Sequence, residues 1–167
     1  MKFVAAALLS LASATEIEVN LDLWKFSNWG KFAKGLMHKK PYHVLPSQVS
    51  GVPTISQCAD DVHVFSVKSE SWSPHDIGRG HFSVNIDGTT SRNEHIDHVH
   101  VIAKWGIIQL EEKDISINKD CTGGEDCDVI INYDIPSFAP GGQYSVHATT
   151  ACSDGGNCAC FDITFTL

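Results

Sequence analysis

Six cysteines, all falling between residues 58 and 160 of a 167-residue chain, constrain this sequence more than any other feature. They are Cys58, Cys121, Cys127, Cys152, Cys158 and Cys160. An even number of cysteines behind a secretory leader reads as a disulfide framework, because thiols oxidise and stay oxidised outside the cytosol. The leader is present in outline. Lys2 precedes an apolar run from Phe3 to Leu11, and Ala12-Ser13-Ala14 offers small residues at a cleavage site. Residues 1–14 are therefore expected to be a signal peptide, which makes the protein secreted or lumenal, in the extracellular space or a lysosome- or vacuole-like compartment. No later run is long and apolar enough to span a bilayer.

Spacing prunes the possible pairings. Cys121 and Cys127 flank Thr-Gly-Gly-Glu-Asp, and Cys152 and Cys158 flank Ser-Asp-Gly-Gly-Asn. Both inserts are rich in turn residues, so each pair is expected to pin a local hairpin. That leaves Cys58 with Cys160, a long-range bond that closes most of the domain and restricts the unfolded chain most. A zinc site is the competing use of cysteine. It lacks a Cys-x-x-Cys pair here, and no metal is expected.

Between the cysteines the hydrophobic period is two. Phe82, Val84 and Ile86 alternate with His81, Ser83 and Asn85. Val99, Val101, Ala103 and Trp105 share the next face. Val129, Ile131, Tyr133 and Ile135, then Tyr144, Val146 and Ala148, then Phe161, Ile163 and Phe165 repeat the pattern. Turn signals such as Asp87-Gly88 and Pro140-Gly141-Gly142 separate the runs. About seven short strands without a strand–helix–strand rhythm predict an all-β, immunoglobulin-like antiparallel sandwich over residues 58–167. Tyr144, after Pro-Gly-Gly-Gln, is placed for a tyrosine-corner-like turn. Residues 15–57 read as an N-terminal extension, a linker or a removable propeptide. Within them Leu21 to Lys40 is compatible with a modestly amphipathic helix that packs on the domain or touches a membrane, and Pro41, Pro46 and Pro53 suggest a linker.

The formal net charge of −8 argues against nucleic acid as a partner, since phosphates demand a basic face. It also disfavours lasting attachment to anionic membranes while permitting brief contact. Enzyme chemistry lacks a carrier, for there is no Gly-x-Ser-x-Gly elbow and no His-Glu-x-x-His. The suggestive polar cluster is His95, Asp97, His98 and His100. On a regular strand His98 and His100 share one face while His95 and Asp97 point the other way. Solvated outer-face residues, a metal site and a pH sensor remain open readings of it. Asp120, Glu125, Asp126 and Asp128 read as an acidic solvated turn.

Four motifs taken together carry a family resemblance. They are Gln57-Cys58-Ala59-Asp60, the Cys121–Cys127 pair with five residues between, Ile135-Pro136-Ser137-Phe138-Ala139-Pro140-Gly141-Gly142-Gln143-Tyr144, and Cys160-Phe161-Asp162-Ile163-Thr164. In order and spacing they resemble the ML (lipid-recognition) family, which includes sterol carriers and phosphatidylglycerol/phosphatidylinositol transfer proteins. The resemblance implies the pairings Cys58–Cys160 and Cys121–Cys127. It also implies a soluble lipid-binding or transfer protein, not an enzyme, that holds a sterol or phospholipid between its sheets without a cofactor and acts as a monomer. The charged Glu111-Glu112-Lys113-Asp114 departs from the proline-rich segment of the sterol carrier. Sheets that splay apart turn core faces into a cavity lining. The expected lining is Phe82 and Val84, then Val99, Val101 and Trp105, then Ile131 and Tyr133, then Val146, Phe161 and Ile163. Leu110, Ile135, Phe138 and Tyr144 are expected at the mouth, with Phe138 as the entrance by analogy to the family. The alternative is a secreted recognition module with a filled core that binds protein or glycan through its loops.

Overall fold

A computed structural model of the chain describes residues 14–22, 51–58 and 64–167. In these stretches all regular structure is β. The strands are β1 (Thr15–Asp22), β2 (Thr54–Gln57), β3 (Phe65–Ser73), β4 (Gly80–Thr90), β5 (Glu94–Trp105), β6 (Ile108–Cys121), β7 (Cys127–Ile135), β8 (Gln143–Ala151) and β9 (Asn157–Thr166). They form a four-stranded sheet in the order β1-β7-β4-β3 and a five-stranded sheet in the order β2-β9-β8-β5-β6. This is the immunoglobulin-like sandwich expected, and seven of its strands, β3 to β9, lie in the span from residue 58 onward. Every neighbouring pair is antiparallel except β1 and β7, which run parallel.

The alternation seen in the sequence sorts side chains between faces. Phe82, Val84 and Ile86 of β4 and Ile131 and Tyr133 of β7 are wholly buried, while Ser83, Asn85 and Asn132 between them are half exposed. Such a period holds the register, because a slip of one residue would put every apolar side chain in water. At Gly88 of β4 the absence of a side chain is required. A Cβ there would stand 2.1 Å from the Phe65 ring, which lies across it and meets Phe161 of the other sheet at 5.7 Å between centroids.

The boundary at residue 58 is corrected. Ile17, Val19 and Leu21 are buried with Glu16, Glu18 and Asn20 exposed, so Thr15–Asp22 is an edge strand of the sandwich. Thr54–Gln57 pairs with β9 at the other sheet's edge. The period-two signal of Ile17, Val19 and Leu21 is clean, but it sits directly after the expected leader, at the start of the expected extension. Leu21 and Asp22, the first residues of the proposed helix, belong to β1. The rest of that helix and the prolines at 41 and 46 lie outside the described residues.

All three disulfides form as spacing suggested: Cys58–Cys160, Cys121–Cys127 and Cys152–Cys158. The first joins the residue after β2 to β9, and each of the others closes a connection between consecutive strands.

Candidate functional site

The strand directions collect the ends of the elements into two unlike poles. One pole holds the start of β4, the end of β5, the start of β6, the end of β7, the start of β8 and the end of β9. Beneath it, aromatic side chains from both sheets converge. Phe82 and Tyr133 of the four-stranded sheet stack at 5.8 Å. Phe165 of the five-stranded sheet meets Phe82 at 5.9 Å and Tyr133 at 6.3 Å, and it stacks on Tyr144 at 5.4 Å. These rings touch across the gap between the sheets, so a guest entering from this pole must part them.

Most of the residues expected to line a cavity do face inward. Val84, Val99, Val101, Ile131, Val146, Phe161 and Ile163 are buried with Phe82 and Tyr133. Three of the four residues expected at the mouth, Leu110, Ile135 and Tyr144, are buried too, and stand in the wall below it. Phe138 is 56% exposed and projects from the loop between β7 and β8. Trp105 is half-buried at the end of β5, where its indole Nε1 donates to the carbonyl of Gly141 at 3.3 Å. It therefore braces that loop rather than standing among the inner side chains.

Other bonds hold the same loop. Arg79 donates from Nε and Nη2 to the carbonyl of Ala139, at 3.0 and 2.8 Å. The hydroxyl of Tyr144 donates to the carbonyl of Pro140, four residues back, at 2.8 Å, which is the corner expected from the sequence. Burial pushes the pKa of Tyr144 up to about 12, against the nearby charge of Arg79. Gly142 has φ +137, and a Cβ there would lie 2.7 Å from the Trp105 Nε1, so glycine is required on both counts. Around this braced loop the exposed large apolar residues gather. Ile107 at the β5–β6 turn is fully exposed, and Ile108, Phe138 and Val52 accompany it at 40–57%. Val52 joins them because Gly51 lies against Thr166 at the end of β9. Ile107, Ile108 and Phe165 escaped the sequence reading as site residues. Gly106 followed by two isoleucines was the available signal for the first two.

The phenol of Tyr133 is the unusual group of this region. Tyr133 is wholly buried, and its hydroxyl has no hydrogen-bond partner. Burial alone drives its pKa far above the ordinary tyrosine value. Further polarity lies on the inner side of β6. Glu111 and Lys113 stand opposite Ala103 and Val101, whose side chains face inward, and they pair with each other at 3.4 Å. The charged segment noted in the sequence thus places two of its four residues along one edge of the interior.

The opposite pole is closed and polar. The disulfides Cys121–Cys127 and Cys152–Cys158 lie there, and Glu94 is buried beside them. Its carboxylate accepts from the Ser153 amide at 3.1 Å, from the Ser153 hydroxyl at 2.8 Å and from Arg92, which also holds Asp154. Burial works to raise the pKa of Glu94, but these hydrogen bonds outweigh it and hold the group below its ordinary value. Glu94 approaches Cys152 and Cys158, and His147 approaches Cys58 and Cys160, in the two groupings of potential metal ligands among the described residues. In both, the sulfurs are engaged in a disulfide.

The histidine cluster needs correction. An irregularity between Ile96 and His98 reverses the alternation of β5. Glu94 and Ile96 face inward before it, and Val99, Val101 and Ala103 after it. His95, Asp97, His98 and His100 consequently all lie on the outer side, instead of dividing between faces. His95 pairs with Asp120 at 2.6 Å and Asp97 at 3.0 Å, His100 with Asp114 at 2.8 Å, and His147 of β8 with Asp162 at 2.7 Å. The hydrogen bond to Asp120 raises the pKa of His95 above 6.5.

The chain is 29% identical over 116 residues, 62% of its length, to the putative phosphatidylglycerol/phosphatidylinositol transfer protein 2 of Dictyostelium discoideum, of which the match spans 78%. Among solved structures it is similar to a Niemann-Pick type C2 protein from Japanese carpenter ant, with a TM-score of 0.48 at 10% identity, covering 68% of this chain and 98% of that one. It is also similar to chicken MD-1 complexed with lipid IVa, with a TM-score of 0.45 at 14% identity, covering 77% and 98%. No family model matches the chain.

Proposed function

We propose that this chain carries a lipid-recognition domain of the ML family and is a soluble lipid carrier that takes up a lipid between its two sheets and releases it at membranes. The observation that carries the reading is the asymmetry of the sandwich. Disulfides and a buried, fully bonded carboxylate seal one pole. The other exposes Ile107, Ile108, Phe138 and Val52 above a cluster of aromatic side chains. A carrier needs both: a rigid base that keeps the sheets in register, and an end whose side chains can part.

Burying apolar surface supplies the binding energy. At roughly 25 cal/mol per Å² a lipid that hides a few hundred Å² gains several kcal/mol without any catalytic group. The same arithmetic applies to docking. Each fully exposed isoleucine or phenylalanine that enters the interface contributes about 1.5–3 kcal/mol, enough for brief contact. The net charge of −8 opposes a longer stay on an anionic surface. In this reading Phe82, Tyr133, Tyr144, Phe161 and Ile163 meet the guest, and Phe138 flanks its entry. Three disulfides suit an oxidising lumen or the extracellular space, in keeping with the expected leader.

Protein purified from its native source and subjected to native mass spectrometry and lipid extraction tests the proposal. We expect a bound lipid, and faster transfer between vesicles of a fluorescent phosphatidylglycerol or sterol. A protein that yields no lipid and accelerates neither transfer would instead be a recognition module with a filled core.

A further inference from the structure

Among the described residues three buried side-chain oxygens lack a hydrogen-bond partner, on Asn85, Glu111 and Tyr133, and of these residues only Tyr133 is wholly buried. Its ring needs no hydroxyl to pack, since phenylalanine would make the same contacts with Phe82 and Phe165. The hydroxyl is buried and has no partner, and an unmade buried hydrogen bond is costly. The phenol stays protonated at any physiological pH, because burial drives its pKa upward. It therefore offers a single O–H donor inside the sandwich.

From this geometry we infer that Tyr133 donates a hydrogen bond to an acceptor oxygen of the bound lipid, and that this oxygen is an ester carbonyl of a glycerophospholipid. The inference rests on the carrier reading above. Depth in the sandwich selects the ester. Tyr133 precedes Ile135, the last residue of β7, by two positions, or about 7 Å of strand. A glycerophospholipid with its headgroup at the apolar pole places its ester carbonyls just inside, between the headgroup and the acyl chains. A sterol that enters tail first leaves its only hydroxyl outside this level. Both lipids could present an oxygen to a phenol, but the ester does so with its headgroup still in water.

The disulfide-intact protein and its Tyr133→Phe variant distinguish the sources. Each is titrated with dioleoyl phosphatidylglycerol, with the dialkyl ether analogue of the same headgroup, with cholesterol and with 3-deoxycholesterol. The wild type should prefer the ester over the ether by about tenfold, the worth of one neutral hydrogen bond, and the variant should bind both alike. Thermal unfolding of the lipid-free variant should show a melting temperature no lower than that of the wild type, which separates a lost contact from a lost fold. Equal ester affinity in the two proteins would overturn the inference while leaving the carrier reading intact. So would a dependence on Tyr133 that follows the sterol hydroxyl rather than the ester. Failure of both proteins to bind any of the four lipids would remove the carrier reading itself, and the inference with it.

Discussion

The two poles of this sandwich are made from the same strands yet solve opposite problems. At the sealed pole, Arg92, Glu94, Ser153 and Asp154 join the start of β5 to the β8–β9 turn through charged hydrogen bonds, and two short-range disulfides clamp the neighbouring connections. At the apolar pole no covalent link is present among the described residues. The β7–β8 loop is held there by hydrogen bonds from Arg79, Trp105 and Tyr144 to backbone carbonyls, and its Phe138 is more than half exposed to water. The contrast teaches where stability and function are divided. Bonds that resist unfolding are concentrated away from the end that opens in the proposed carrier, so opening there need not threaten the fold.

The comparison can be broken from either side. The largest effect is expected from removing Cys58–Cys160, the long-range bond, in a Cys58→Ala/Cys160→Ala variant. Loop-closure entropy for such a separation is about 4–5 kcal/mol, and denaturant melts should show a loss of that order. A loss under 1 kcal/mol would mean that pairing and packing alone hold β2 on β9. Next comes Glu94→Ala, which strips Ser153 and Arg92 of their acceptor and should cost about 2–3 kcal/mol by the same melts. Lipid transfer by the folded fraction should be unchanged, and a transfer defect of equal size would show that the poles are coupled.

The mirror-image change, Ile107→Asp with Phe138→Asp, should cost about 1 kcal/mol or less in the melts, since Ile107 is fully in water and Phe138 is more than half exposed. Transfer between vesicles should fall about tenfold, because the interfacial contribution of two apolar side chains is replaced by charge. Unchanged transfer would place membrane contact elsewhere. The smallest effects are those of pH. The pKa of Glu94 is lowered by folding, so its contribution is present at neutral pH and lost as pH falls through the folded value. Glu94→Gln should accordingly flatten the acid limb of the stability profile below the ordinary carboxylate range. His95 has the opposite sign. Its raised pKa makes its contribution complete below 6.5 and lost as pH rises through the folded value. An NMR titration of its ring should give a midpoint above 6.5, and Asp120→Asn should return it toward that value.

Much of this was legible in the chain. The alternation of Phe82, Val84 and Ile86 and of Ile131 and Tyr133 announced inward faces, and turn-rich inserts announced two of the disulfides. What misled was context. Ile17, Val19 and Leu21 alternate as cleanly as any strand, but their partner, β7, lies more than a hundred residues away. Trp105 follows the alternation of its strand, yet it braces a loop, because Gly141 comes within reach of its indole only after β5 and β8 pair. Regular alternation puts His95 and His100 on different faces, and the irregularity at Ile96–His98 brings them onto one.

The sequence by itself determined an all-β, cross-linked sandwich, because period-two hydrophobicity and paired cysteines are local properties that any fold of the chain must satisfy. Only the tertiary structure decided which strand ends share a pole, and hence that Ile107, Phe138 and Val52 gather at one end while Glu94 and two disulfides occupy the other. It also decided that the hydroxyl of Tyr133 has nothing to bond. Both follow from pairings between distant segments, whose register depends on how whole faces fit together and is written in no single stretch of residues.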